Sequence, residues 1–353
     1  MTLLRDWFQR YFSDPQVVIL SVLLVFGFGF VLLLGDMLIP VIASLVIAYL
    51  LDGPVCWLRR RFMPRPLAVW VVFIGFLTVV AIILIGLMPV LSRQVQGLIE
   101  VLPIIVGKGQ ELLMRLPESY PAVFTEAQVL EMINTLRVEI TLAGQEFLST
   151  SLTSVVSLFT LIVYLVLLPL LIFFFLKDKD SIIAWFAEFL PENRRLAQDV
   201  WREVDVQIAN YVRGKVWEII IVGAVTYVAF VIMGVNFAML LAALVGISVV
   251  VPYVGATAVT VPVAVAGFFQ YGWTPEFAWV MAVYGIIQAL DGNVLVPLLF
   301  SEVVNLHPIA IIVAILFFGG IWGFWGVFFA IPLATLVQAV LRAWPRRHGA
   351  AAA

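Results

Sequence analysis

Charge is scarce in this chain. Of its 353 residues, 12% are Asp, Glu, Lys or Arg, about half the share found in a soluble domain. That excludes a soluble enzyme and a disordered segment alike. Basic residues are in no excess: Lys+Arg 20 against Asp+Glu 22 leaves a net charge of −2, so the footprint of a nucleic-acid binder is missing. Cysteine is all but absent. Cys56 stands alone with no partner for an intrachain disulfide, and one Cys with two His cannot complete a zinc site. Nothing resembles a nucleophile triad, a phosphate-binding loop or an intramembrane protease pair, so neither catalysis nor a cofactor is expected. The opening MTLLRDWFQRYFSDP lacks a short apolar core followed by small cleavage-site residues, and no cleaved signal peptide is expected.

What the chain has is apolar length. It is 63% hydrophobic, in long runs, and a helix needs about 20 such residues to cross a bilayer. Runs at 16–35, 37–51, 67–90, 152–176, 216–234 and 277–300 meet or approach that length. Two longer intervals are interrupted: 237–270 at Val251-Pro252-Tyr253-Val254-Gly255, and 308–341 at Gly319-Gly320-Ile321-Trp322-Gly323. Each arm of these intervals is near 22 Å long at about 1.5 Å per residue, short for a crossing. The expected fold is therefore an all-α polytopic membrane protein of about eight transmembrane elements, two of them broken or re-entrant helical hairpins. Pairs of full but short helices remain the plainer alternative.

Basic residues orient these elements. With Arg5 and Arg10 in the cytoplasm, the Arg59, Arg60, Arg61 and Arg65 loop falls on the same side, as does the basic 177–215 segment. If both interrupted intervals return to the side they enter, Arg342, Arg346 and Arg347 join them. Cytoplasmic N- and C-termini in a bacterial inner membrane are expected. The organisation reads as an N-terminal transmembrane scaffold (1–90), an extracytoplasmic helical segment (91–150), a span (151–176), a cytoplasmic amphipathic segment (177–215), a transport unit with two hairpins (216–342) and a cytoplasmic tail (343–353). In the amphipathic segment Leu196, Val200, Val204, Ile208 and Tyr211 recur at helical spacing, a stripe suited to packing on its own bundle, to the membrane interface or to a subunit contact.

Val235-Asn236 opens the first interrupted interval and Val304-Asn305 the second, each after an ordinary span. By the topology above they start on opposite faces. A span-plus-hairpin unit repeated upside down is a common plan of secondary transporters, with the substrate site between the hairpins.

Polar residues inside spans are costly and therefore informative. Asp291 sits within 277–300, where an Asp costs roughly 2.5–3.5 kcal/mol to insert. Such an acid faces the bundle interior or a water path and serves protons or cations, or else bonds a neighbouring helix at a kink made by Gly292. Gln288 and Asn293 are placed to share its polar face. Tyr253 and Thr257 mark the first hairpin tip, while Ser248 and Thr260 on its arms suit bonds to their own backbone. Pro252, Gly255, Gly319, Gly320 and Gly323 shape the breaks, and the glycines, with Gly326, also admit close helix approach. His307 precedes Pro308 at the mouth of the second hairpin, as a pH-responsive group or a helix start. Arg213, Lys215 and Glu218 open the 216–234 span, where snorkelling and ion pairing account for them.

Tyr49-Leu50-Leu51-Asp52-Gly53-Pro54 followed by Arg59, Arg60 and Arg65-Pro66-Leu67-Ala68 resembles the first block of the AI-2E (autoinducer-2 exporter) family of transporters. Tyr211-Val212-Arg213-Gly214 resembles its central block, and Val251-Pro252-Tyr253-Val254-Gly255 its proline-glycine break. Leu306-His307-Pro308, Gly319-Gly320, Gly323, Gly326 and Ile331-Pro332-Leu333-Ala334 resemble its C-terminal block. Asp291-Gly292-Asn293-Val294-Leu295-Val296-Pro297 with Phe300-Ser301-Glu302 is similar to a permease branch of that family. The resemblance implies a secondary transporter, a homo-oligomer (a pentamer) and elevator-like motion. It also implies substrates such as autoinducer-2, or sodium and protons in antiport. The expected partners are thus the lipid bilayer and a small solute or cation (H+ or Na+), with Asp291 as the coupling carboxylate. A passive oligomeric channel and a non-transporting scaffold stay open.

Overall fold

The computed structural model describes residues 15–115, 117, 125–135, 138, 155–189, 195–252, 254–300 and 306–343. Among them all regular structure is helical, as backbone in hydrocarbon requires when no closed barrel forms.

The first helix departs from expectation. α1 (Pro15–Arg61) runs unbroken for 47 residues, about 70 Å, where the sequence suggests two antiparallel spans meeting at Gly35-Asp36. Neither residue stops an apolar helix by itself, and Pro40 and Pro54 are both carried inside it. One rod crosses once, so the expected return of the chain before Arg59 is absent. The cytoplasmic N-terminus rested on that return; residues 1–14 lie outside the described residues. α2 (Arg65–Ile82) passes through a π turn (Ile83–Leu87) into α3 (Met88–Met114). The expected 67–90 span is present and continues without a joint into the segment read as extracytoplasmic. A short helix, α4, covers 126–135. Its start is a reciprocal cap in which the Gln128 amide N–H donates to Thr125 Oγ1 at 3.4 Å and the Thr125 N–H donates to Gln128 Oε1 at 3.1 Å.

α5 (Val155–Lys177) and α6 (Lys179–Glu188) lead to α7 (Arg195–Ile232), a single helix of 38 residues. α7 joins what the sequence divides into an amphipathic segment and a span. Its stripe of Val200, Val204 and Ile208 is covered by Leu336, Ala339 and Val340, so the stripe serves packing within the chain. After it come α8 (Ala238–Ser248), α9 (Val254–Tyr271), α10 (Pro275–Leu290), a second π turn (Asp291–Leu295), α11 (Val296–Phe300), α12 (Pro308–Phe328) and α13 (Ala330–Ala343).

Two bundles result. Ala48 and Val55 of α1, Ala68, Val69 and Phe73 of α2, and Ile172 and Leu176 of α5 form one apolar core. The other is built on α7, which packs against α1, α8, α10, α11 and α13. Its Val222 and Phe230 side joins Leu241, Val245, Val263, Val280 and Tyr284. Its Tyr211 and Val212 join Phe300, Ile311, Ile315, Phe318 and Ile331. α8 comes very close to α7: a Cβ on Gly246 would stand 2.9 Å from the Ile219 carbonyl oxygen and 3.1 Å from Gly223 Cα. Small residues at such a crossing replace hydrophobic drive with contact between backbones.

Both interrupted intervals fold back on themselves. In the first, α8 and α9 pack together, and the base is clamped. Gln270 accepts from the Asn236 N–H at 2.7 Å and donates to the Gly234 carbonyl at 2.7 Å, while the Tyr271 hydroxyl donates to the Met233 carbonyl at 2.8 Å. At its tip a Cβ on Gly255 would collide with the Ser248 carbonyl. In the second, the chain turns at Gly323, with φ 56° and ψ −132°, a conformation open to glycine. There a Cβ on Gly326 would collide with the Phe318 carbonyl, and one on Gly319 would lie 2.7 Å from the Val327 side chain. The two breaks thus close in the same way, on a glycine pressed against a carbonyl seven or eight residues earlier.

Candidate transport site

The polar centre of the C-terminal bundle lies on the middle of α7. Lys215 and Glu218 are 3% and 2% exposed, and Nζ lies 2.7 Å from Oε2. The same ammonium donates to the Val249 carbonyl at 2.8 Å and sits 5.2 Å over the Phe300 ring. Val249 caps α8 at the break, so Lys215 satisfies a carbonyl left over where the helix ends. The ion pairing that the sequence suggests for Lys215 and Glu218 is present, whereas the snorkelling at a span mouth is not, because both are buried. No mouth exists there, because α7 continues from Arg195, and their shared face is covered by the α8 break and α11.

Asp291 opens the second π turn, a geometry frequent at functional sites because it departs from the helical bonding pattern. It is half-buried, and its buried Oδ1 has no hydrogen-bond partner among the described residues. The π turn packs on α7, bringing Asp291 within electrostatic reach of Lys215 and Glu218. Asn293, expected on the same face, is exposed and turns its amide onto the Ala289 carbonyl at 2.8 Å. The wide turn takes it off the 3.6-residue pattern on which that expectation rested.

Gln288 joins a second polar group. The Tyr284 hydroxyl lies 3.1 Å from Thr260 Oγ1 and donates to the Ala256 carbonyl at 3.0 Å, with Gln288 lining the same groove. These side chains, with Thr257, Met281 and Gly285, line an open groove of about 680 Å³ between α9 and α10. Ser248 and Thr260 bond their own backbone as expected, at Val245 and Ala256. His307 is exposed and caps α12, its Nδ1 accepting the Ile309 N–H at 3.3 Å. Pro252 lies in the turn of the first break, and Tyr253 lies outside the described residues. Gly255, Gly319 and Gly323 have the close contacts or the positive φ described above, whereas a Cβ on Gly320 would meet open space.

The second break reaches the same stretch of α7. Tyr211, 1% exposed, donates to the Phe328 carbonyl at 3.2 Å and packs its ring against Phe300 and Phe328. Gly214 makes room for Phe300: a Cβ there would stand 2.8 Å from the ring. Arg213 points elsewhere, its guanidinium lying over Gly53 of α1. Nearby, the Tyr49 hydroxyl bonds the Asp205 carbonyl and carboxylate, Lys179 pairs with Asp52 at 2.7 Å, and Arg65 pairs with Asp180. The Tyr49–Pro54 and Tyr211–Gly214 motifs, far apart in sequence, therefore meet where the two bundles join. The sequence reading names Lys215, Glu218 and Tyr211 but does not bring them together in one buried place. The missing signal was helix continuity through 215–216, which turns two apparent surface charges into an interior i,i+3 pair.

A family model described as AI-2E family transporter matches residues 20–346. Over 345 residues, covering 98% of each chain, the sequence is 45% identical to a protein of Escherichia coli (strain K12) named "Putative permease PerM". It is 26% identical over 317 residues, 88% of this chain and 85% of the other, to "Putative transport protein YueF" of Bacillus subtilis (strain 168). It is 24% identical over 316 residues, 88% of each chain, to "Putative transport protein YrrI" of the same organism.

Proposed function

This chain belongs to the AI-2E family of transporters, and from that premise we propose that it is a secondary transporter of the bacterial inner membrane. It moves a small solute or ion by alternating access. The observation that carries this reading is the buried Lys215–Glu218 pair, with Asp291 in reach, at the place where both helix breaks are held by one stretch of α7. Ionised groups inside a membrane protein are expensive and mark ion or substrate paths, and broken helices supply the backbone carbonyls such paths use.

In this reading α7 to α13 form the moving unit and α1, α2 and α5 the scaffold, sliding at the seam where Arg213 covers Gly53. Motion is elevator-like, within a homo-oligomer whose scaffold makes the subunit contacts. A proton or sodium gradient drives it through Asp291. The hairpins act as gates that enter and leave on one face, in keeping with arms of 11 and 18 residues in the first and its clamped base. The side bearing Arg59–Arg61, Lys177, Lys179 and the C-terminus is cytoplasmic.

The test uses proteoliposomes with a trapped pH dye and opposed sodium and proton gradients, comparing wild type with an equally monodisperse Asp291→Asn. Proton flux in wild type that the variant lacks is the expected result. Flux that rises linearly with gradient without saturating would replace the reading with a passive channel. No flux under any gradient or solute would leave a scaffold.

A further inference from the structure

α6 carries an aromatic face that none of the apolar cores of the described residues takes up. At helical spacing Trp185, Phe186 and Phe189 fall on one side, and Asp180, Ala184 and Glu188 form the opposite stripe. The three aromatic residues are 54%, 59% and 71% exposed. The Trp185 ring packs edge-on against Phe186 and against Phe189, with centroids 4.9 Å apart in each pair. A plate of this kind facing outward marks a surface of interaction.

The ends of the neighbouring spans fix where the plate stands. Exposed Leu170 and Phe174 of α5 give way to Lys177 at its last residue, an apolar run ending in a charge where hydrocarbon ends. α6 begins after the one-residue joint at Asp178, which carries the chain about 4 Å at most. Lys179 is paired with Asp52 of α1, and Asp180 with Arg65 at the start of α2. The first turn of α6 is therefore held beside the α1–α2 turn. There Trp57 and Phe62 pack edge-on, both more than half exposed, next to exposed Arg59, Arg60 and Arg61. Exposed aromatic rings beside basic residues at the ends of spans suit a bilayer–water boundary. At about 15 Å, α6 is too short to cross the membrane and long enough to lie along that boundary.

We propose that α6 is an interfacial helix whose Trp185–Phe186–Phe189 plate is seated among lipid headgroups and upper acyl chains, with Arg59, Arg60 and Arg61 drawing anionic phospholipid to it. The occupant of the face is the lipid surface because the plate follows directly on the exposed apolar side of a span. Charge agrees: the acids Asp180 and Glu188 turn away from the plate, and exposed arginines flank it, the arrangement that suits a negative surface. The seat goes beyond transport. It ties the bundle of α1, α2 and α5 to one leaflet, through α5 and through the Lys179–Asp52 and Asp180–Arg65 pairs.

The test uses the full chain in a Cys56→Ser background, with one cysteine at a time on the plate (Phe186→Cys, Phe189→Cys) or on the opposite stripe (Ala184→Cys, Glu188→Cys). Each is labelled with a nitrobenzoxadiazole fluorophore in nanodiscs of phosphatidylcholine and phosphatidylglycerol. The quenchers are phospholipid carrying a doxyl group near the headgroup, and aqueous iodide. Plate positions are expected to be quenched by the lipid and shielded from iodide, and the opposite stripe to show the reverse. Plate positions open to iodide overturn the proposal. So does shielding from both quenchers, which means that a second copy or another part of the chain covers the face. Should loss of a ring disturb α6, wild type is crosslinked to phospholipid with a photoactivatable acyl chain and mapped by mass spectrometry. Adducts on 182–189 support the seat; adducts confined to other segments overturn it. The charge is read by moving the doxyl group from phosphatidylcholine to phosphatidylglycerol at equal mole fraction. Quenching at 186 is expected to rise about twofold, and Arg59→Gln/Arg60→Gln/Arg61→Gln to cancel the rise. Equal quenching by the two lipids overturns the anionic preference.

Discussion

Tyr211 and Lys215, one turn apart on α7, donate to the carbonyls of two different helix breaks: Phe328 at 3.2 Å and Val249 at 2.8 Å. One face of one helix therefore holds both interrupted segments, and α7 stands between them. A movement of either break must break one of these bonds or carry α7 along.

The Lys215–Glu218 pair is expected to show strong non-additivity. Lys215→Met leaves a buried carboxylate unpaired and costs about 3–5 kcal/mol, while removing both charges costs much less. Lys215→Met/Glu218→Met should therefore be more stable than Lys215→Met alone. Melting temperatures of the four corners of the cycle check this, and a double variant no better than the single would contradict it.

Tyr211→Phe keeps the ring packing on Phe300 and Phe328 and deletes the hydroxyl. The expected loss is about 1 kcal/mol for the bond, with the Phe328 carbonyl left less well satisfied. Faster amide exchange is expected around Phe329–Leu333, while 249–255 stays protected; hydrogen–deuterium exchange reads both regions.

Three glycines should separate steric from conformational need. Gly255→Ala drives a Cβ into the Ser248 carbonyl and should prevent the first break from closing. Gly323→Ala has open space but a φ of 56°, costing about 1–3 kcal/mol of strain. Gly320→Ala has neither problem and should match wild type in yield and melting temperature. Expression and size-exclusion profiles of the three variants give the order.

Asp291 and Asn293 are two residues apart and should behave in opposite ways. Asn293→Ala removes only a bond to its own helix at Ala289 and should leave transport within about twofold of wild type. Asp291→Asn should abolish cation dependence. Equal losses from both, in the dye-loaded proteoliposomes, would argue that the π turn presents Asn293 to the path after all.

Gln270→Ala releases both bonds that clamp 234–236. The expected outcome is a loosened hairpin base, seen as faster exchange of the Asn236 amide, with exchange at the 249–255 tip unaffected. Exchange that stays slow would place the strength of the base in the Tyr271–Met233 bond.

Hydropathy made most of the C-terminal architecture legible. Elements within 216–234, 237–270, 277–300 and 308–341 appear where apolar runs and their Pro and Gly interruptions suggest, because length and breakers act locally. The same reasoning failed at Gly35-Asp36, where a weak interruption was read as a turn and the helix runs through. It failed again at Lys215 and Glu218, whose position at the edge of an apolar run suggests a water-facing end.

Composition by itself determined that this chain lives in a membrane as helices, since hydrocarbon leaves few other ways to bond a backbone. Proline and glycine interruptions at 251–255 and 319–323 marked the two breaks of the C-terminal bundle. Which charges are buried together was decided only by the tertiary structure. An i,i+3 pair such as Lys215–Glu218 looks alike on a wet surface and in a core, and the difference is what the α8 break, α11 and the π turn place over it. Asp291 is drawn toward that pair, and Asn293 away from it, by a turn whose extra width no local sequence pattern announces.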